Sequence, residues 1–246
     1  MNKIAALAFA AALLPLSAHA QSIHTWVSGV GDDANPCSRT APCRTFMGVS
    51  SKTGVGGLIS VIDPGGFGAI SIGRSLSIVA DPATATVTVS GNANAVTISA
   101  GASDDVVLSG LTLQGSGGAQ IGIRVVSARS VTIRNCNISG FQSAGIAVEG
   151  NVKVFVSDCT VSGNAAGVLA KAGATVLNRI AVVQNAGSGV RADGSGAAIT
   201  VNAVTVVNNR GTGLDAANGG TIASFANNAV NGNSPDGRPT KGLKPF

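Results

Sequence analysis

The chain contains no tyrosine, and aromatic residues make up 3% of its 246 positions. A surface built mainly from rows of exposed rings, a frequent platform for sugars and bases, is therefore excluded. Histidine is nearly as scarce, with only His19 and His24. A Ser-His-Asp or Cys-His site would have to use His24, close to the start of the exported chain, so nucleophilic catalysis of that kind is not expected. A zinc site lacks both histidines and clustered free cysteines, and no metal or cofactor is expected. Charged residues are 11% of the chain, and Glu149 is its single glutamate. No stretch concentrates Lys and Arg with aromatics, which argues against a nucleic-acid partner.

Long apolar runs are also missing, with one exception. Residues 1–20 open on "MNK", continue through "IAALAFAAALLPL" and end on "AHA". A basic start, a short apolar run and a small-x-small end are the pattern of an export signal. The run is too short to span a bilayer, and no second one follows, so no stable membrane anchor is expected. The signal has no cysteine to carry a lipid. Cleavage after Ala20 would leave a chain that begins at Gln21 and works in the periplasm or outside the cell. With Lys3 removed, 15 basic and 11 acidic side chains remain, a net of +4. That excess is small and scattered.

Gly numbers 34, and Val, Ile, Ala, Asn, Ser and Thr are abundant. This composition suits close-packed strands and tight turns. The strands repeat. Val131, Ile133, Cys136 and Ile138 stand at offsets 0, +2, +5 and +7. The same offsets fit Val154, Val156, Cys159 and Val161, then Thr175, Leu177, Ile180 and Val182, then Ile199, Val201, Val204 and Val206. Upstream they fit Val106, Leu108, Leu111 and Leu113, and downstream they decay to Ala223, Phe225, Asn228 and Val230. A period of about 21–25 residues signals a solenoid.

A step of two keeps side chains on one face of a strand, and the step of three bends the chain into a second strand. Asn164, Asn185, Asn209 and Asn233 recur at +10, where asparagine can take left-handed backbone geometry or stack into an amide ladder. Gly145, Gly167, Gly189, Gly213 and Gly237 follow about four residues later, and the first four of these lead into a third alternating segment. Three short strands per coil, each paired with its counterpart about 4.8 Å away, make a parallel β-helix. The rival is a leucine-rich repeat, because "LNRIAVVQN" and "VNAVTVVNN" fit LxxLxLxxN. Val and Ile in place of Leu, and alternation in place of a helical stretch, favour the β-helix.

On these coils the chain resembles the right-handed parallel β-helix proteins of the pectate-lyase-like superfamily. Its start, "TWVSGVGDDANPCSRTAPCRTF", resembles the N-terminal segment of bacterial β-helix proteins, where a strand and a polar turn lead into a short capping helix. Thr45 is the expected N-cap, with Phe46 turned inward. "VIDPGGFGAISIGRSLSIVA" is similar to the first full coil of such proteins, and "SDDVVLSGLTLQGSG" to their middle coils. The "GDDANPCSRTAPC" start resembles a group of secreted bacterial β-helix proteins, and ties the chain to a fold and not to a reaction. The expected organisation is a signal over 1–20, an N-terminal segment and cap over 21–56, an all-β right-handed parallel β-helix over 57–233 and an irregular tail over 234–246.

The superfamily includes polysaccharide lyases, hydrolases, esterases and epimerases as well as proteins that only bind, so the resemblance does not select among them. In its carbohydrate-active members the cleft commonly lies along the sheet made by the third strands. Here those strands would stack Arg124, Ala147, Leu169, Arg191 and Asp215 in one outward column, and Glu149, Lys171, Asp193 and Ala217 in another. Glu149, Lys171, Arg191, Asp193 and Asp215 are the candidate ligand groove. Their alternating signs also fit a self-neutralising ion-pair ladder. The three-Asp, Asp-Asp-Arg and Tyr/His sets of the catalytic relatives are absent, so no residue is assigned a catalytic role. The remaining acids, among them Asp32, Asp33, Asp63, Asp104, Asp105 and Asp236, read as turn residues.

The reading reached is a secreted, non-catalytic β-helix protein, structural or glycan-binding, with a polysaccharide or cell-surface glycan as the partner class. The alternative is a lyase, hydrolase or epimerase acting on an acidic polysaccharide. Cys37 and Cys43, six residues apart in a polar loop of an exported chain, are expected to form a disulfide. Cys136 and Cys159 are expected to be buried in one stacked slot, where free thiols are favoured over a bridge.

Overall fold

The computed structural model describes residues 22–244. The segment 1–20, expected as a signal, lies outside the described residues, as do Gln21 and the last two residues of the tail. The described chain is an all-β parallel solenoid. Seven complete coils each contribute one strand to each of three sheets, and the incomplete coils at the two ends bring these, among the described residues, to ten, eight and seven strands. One coil shows the plan: Lys153–Ser157 joins the first sheet, Thr160–Ser162 the second and Ala166–Ala170 the third. Every pairing between successive coils is parallel.

The offsets found in sequence are the interior of the coil. Val131 pairs with Val154, Val154 with Thr175 and Thr175 with Ile199, all of them buried. Burial of these stacked apolar columns supplies the main driving force. The extra residue between the first and second strand is a left-handed bend: Gly110, Asn135, Asp158, Arg179, Ala203 and Ala226 all have φ between 50° and 77°. Glycine, asparagine and aspartate suit that geometry, whereas arginine and alanine hold it because the stack on either side leaves no alternative.

The asparagines at +10 do not take the left-handed geometry expected of them. The residue just before each one does: Gly163, Gln184, Asn208 and Gly232 have φ of 65°, 56°, 56° and 69°. This frees the asparagine side chain to turn inward. Asn164, Asn185 and Asn209 are buried and form the amide ladder. Asn185 Oδ1 accepts from the backbone N–H and the amide of Asn164, at 3.0 and 3.2 Å. Asn185 Nδ2 donates to Val161 O and to Asn209 Oδ1. Asn209 repeats the pattern with Asn233, and the Asp236 carboxylate ends the ladder at 2.8 Å from Asn233 Nδ2. Each amide thus satisfies backbone groups that the bend between the second and third sheets would otherwise leave unpaired. The glycines that follow are steric partners of this ladder. A Cβ on Gly167 would lie 2.3 Å from Val182 Cγ1 and 3.0 Å from Asn185 Nδ2.

The last coil departs from the expected register. Ile199 pairs with Ile222 and Val201 with Ser224, so Ile222 and Ser224 occupy the inward slots, not Ala223 and Phe225. Val206 still pairs with Val230. One extra residue in the bend around Ala226 absorbs the difference. Within 234–246, expected as an irregular tail, Lys241–Gly242 pairs with Ala223 and Ser224.

At the other end, Ser22–Val27 is the outermost strand of the first sheet. Its edge is partly covered by the loop of 37–43, through Trp26 N to Cys37 O and Cys43 N to Trp26 O. A five-residue helix, Phe46–Ser50, is N-capped by Thr45, whose Oγ1 accepts from Gly48 N at 2.9 Å, with Phe46 buried. Asp33 organises this turn, accepting from the backbone N–H groups of Arg44 and Thr45 and from Thr45 Oγ1. Burial works to raise the Asp33 pKa, but the Thr45 and Arg44 hydrogen bonds and the Lys52 charge outweigh it and hold the carboxyl below its usual range.

Two substitutions test this account. Asn185→Ala leaves Asn164 N–H and Val161 O without their partners in a buried site and should cost about 2–4 kcal/mol in unfolding free energy. Thr175 is buried with an unpartnered hydroxyl in an otherwise apolar column. Thr175→Val keeps its shape and should stabilise by about 1 kcal/mol. Urea unfolding of both variants measures these shifts, and a destabilised Thr175→Val would show that the hydroxyl has a partner.

Candidate functional site

The third sheet brings the candidate residues together as stacked columns. Arg124 pairs with Ala147, Ala147 with Leu169, Leu169 with Arg191 and Arg191 with Asp215. Asp193 pairs with Ala217. Glu149 and Lys171 lie just past the ends of their strands, where their N–H groups bond to Val125 O and Val148 O of the preceding coils. Alternation along each strand turns these side chains outward, because the neighbours Val148, Ala170 and Ala192 point into the core.

Arg191 is the centre of the charged group. Its guanidinium reaches Asp215 Oδ2 at 2.6 Å and Asp193 Oδ2 at 3.2 Å. Burial works against its charge, and Asp215 and Asp193 more than offset that, so its pKa is raised. Asp193 is held below the ordinary carboxylate range, first by the hydrogen bond from Asn218, then by Arg191 and Lys171, with burial opposing. Ser188 Oγ donates to Asp215 Oδ2 at 2.9 Å. Three coils from Arg191, Arg124 pairs with Glu149 of the adjacent coil at 2.8 Å. Lys171 stands between Glu149 and Asp193 in its column, and among the described residues no carboxylate lies within ion-pair distance of it. Between the two arginine centres, Ile121, Ala144 and Ala147 form a small apolar cluster apart from the interior core, with Ala166 and Leu169 packed beside it.

Sequence reasoning grouped the five charged residues but missed the partners that fix them. Arg124 was visible in the column, three coils from Arg191, yet its pairing with Glu149 needs the register and side-chain reach. Ser188 and Asn218 come from turns whose path the repeat does not specify.

The cysteines fall into two sets. Cys37 and Cys43 are joined in a disulfide, with a Cα–Cα distance of 4.7 Å. Lys52 Nζ donates to Asp33 O and Asn35 O beside this loop. Cys136 and Cys159 are free and buried. They occupy one inward slot on adjacent coils, with Cys136 N at 3.4 Å from Cys159 Sγ. The two thiols act on each other in opposite directions: their hydrogen bond, helped by burial, pushes Cys159 up, and the same bond outweighs burial to bring Cys136 down. Among the described residues no three His, Cys, Asp or Glu side chains converge as a metal-ion set.

The Cys136→Val, Cys159→Val double variant should therefore fold, at a cost of about 1 kcal/mol from imperfect packing. It should keep whatever ligand binding the parent shows. A variant that folds normally by circular dichroism but loses binding would give the pair a functional role.

Against solved structures, the chain is similar to pectate lyase Pel9A. The two share 13% identity and align with a TM-score of 0.61 over 82% of this chain and 67% of the other, a likeness of fold. No curated protein matches the chain. The family model described as the right handed beta helix region matches residues 83–237, the span in which the repeat, the asparagine ladder and the charged columns lie. The chain belongs to the right-handed β-helix family.

Proposed function

We propose that this chain is an exported, non-catalytic β-helix protein that binds polysaccharide on its outer surface. The observation that carries the reading is the state of the carboxylates on the third sheet. Glu149 is paired with Arg124, and Asp193 and Asp215 are both paired with Arg191. A general acid needs a carboxyl held protonated near neutral pH, which burial or a neighbouring anion provides. Asp193 has the opposite environment, with its pKa lowered. Paired glycosidase carboxylates also need freedom to exchange protons with substrate and water. These acids instead hold arginines in place. The fold is compatible with a polysaccharide ligand, because a parallel β-helix presents long flat faces with a repeat of about 4.8 Å along the stack. Export rests on the pattern of residues 1–20 and on the disulfide, which persists in an oxidising compartment.

The test uses the chain from Gln21 onward, incubated with a panel of acidic and neutral polysaccharides. Affinity electrophoresis reads binding, while unsaturated products and new reducing ends read cleavage. Binding without products is the expected result. Products that vanish in Asp193→Asn or Asp215→Asn would instead establish an enzyme at the third sheet.

A further inference from the structure

Free positive charge and the exposed aromatic surface coincide on a different face. The outward residues of the first sheet form a continuous column: Val107 pairs with Thr132, Thr132 with Phe155, Phe155 with Val176 and Val176 with Thr200. No member of this column carries a charge. Phe155 is 41% exposed, unusual for a ring in a chain so poor in aromatics. Beside it lies a groove of about 290 Å³, lined by Ser130, Thr132, Lys153, Phe155, Ala174 and Val176 among others. Lys153 is the only charged residue in that lining.

The flanks of Phe155 are cationic. Lys153 stands two residues earlier on the same strand and on the same face. Arg134, exposed on the neighbouring strand, pairs in register with Ser157, two residues beyond Phe155. Its Nε donates to Ser109 Oγ at 3.2 Å. Among the described residues no carboxylate forms an ion pair with Lys153 or Arg134. The nearby acids are already committed: Asp105 to Arg129 and Ser130, and Asp158 to Arg179. The third sheet is the reverse case, because Arg124 and Arg191 are neutralised by their own acids.

We propose that the groove beside Phe155, on the outer face of the first sheet, is the binding site for an acidic sugar unit of a polysaccharide. This rests on the glycan-binding reading above and gives it a location and a ligand class. The ring face and Val176 accept the C–H face of a pyranose, as aromatic side chains do for flat amphipathic partners. Lys153 and Arg134 meet carboxylates or sulfates on that unit and the next, and hydrogen bonds to charged groups are the stronger kind. Thr132 supplies a hydroxyl in the groove lining. The uncharged column running along the stack lets the chain extend past the groove without meeting a like charge. A neutral glycan would leave both cations unused, and a cationic one would be repelled.

Isothermal titration of the chain from Gln21 onward with a 1,4-linked polyuronate, and with a neutral glucan of equal length, tests this. The polyuronate should bind, more weakly as salt rises, and the glucan should not. Phe155→Ala and the double variant Lys153→Gln, Arg134→Gln should each weaken binding by about tenfold, equivalent to about 1.4 kcal/mol. All three positions are exposed, so the variants should fold, which circular dichroism checks. Polyuronate binding that survives both variants and disappears in Arg191→Gln would overturn this site while leaving glycan binding intact. No binding to any polysaccharide would overturn the broader reading with it. A Phe155→Ala variant that converts a dimer to a monomer without changing polyuronate affinity would assign the groove to a second copy of this chain and overturn the proposal.

Discussion

Stacking in register is the constraint on which the rest of the structure depends. Each coil must offer its backbone N–H and C=O groups to the next one about 4.8 Å away, in three sheets at once. A side chain therefore sits on its counterpart from the preceding coil, and any residue that works in one slot tends to work above and below. The valine and isoleucine columns, the stacked Cys136 and Cys159, and the asparagine ladder are all results of this rule. The bends are where the backbone cannot satisfy itself, and there the sequence spends its polar residues. Asn164, Asn185, Asn209 and Asn233 pair across coils and reach back to Ile138, Val161, Val182 and Val206. Asp236 provides a terminal acceptor where the ladder has no further amide.

The same stacking sorts charge into columns on the outer faces. On the third sheet, acids and bases alternate along and between columns, and Arg191 draws two carboxylates to itself. That arrangement fixes side chains at the cost of their availability to a ligand. On the first sheet, the acids Asp105 and Asp158 are taken by Arg129 and Arg179, which lie at the margins. Lys153 and Arg134 are left beside the Phe155 ring. The two faces are built by one repeat, yet one is self-neutralised and the other offers cations next to apolar surface. The difference comes from a few outward positions that the core does not constrain.

Much of this architecture is legible in the residues. Offsets of 0, +2, +5 and +7 identify the inward slots of five coils because alternation and one bend residue are enough to define them. The offsets mislead in the last coil, where apolar Ala223 and Phe225 imitate the pattern while Ile222 and Ser224 hold the slots. A single additional bend residue shifts the register there, and only strand pairing reveals it. Asparagine at +10 is legible as a bend residue that can also stack into an amide ladder, and only the ladder is found. In the structure the left-handed residue comes one position earlier and the asparagine side chain turns inward, into the space that a Cβ on Gly145, Gly167 or Gly189 would crowd.

The sequence by itself determined the solenoid, its period, the buried pair of thiols and the pairing of Cys37 with Cys43. These are local or periodic properties, and a repeat prints them many times over. The tertiary structure decided which charges are spent and which are free. Arg124 meets Glu149 at a separation of 25 residues, Arg191 meets Asp215 at 24, and Asn218 reaches Asp193 at 25. Such contacts depend on register between coils, on the reach of flexible side chains and on the path of turns outside the repeat. Phe155 and Lys153 likewise are ordinary strand residues in the sequence, and become a groove only when Ser130, Thr132, Ala174 and Val176 are laid beside them by the neighbouring coils.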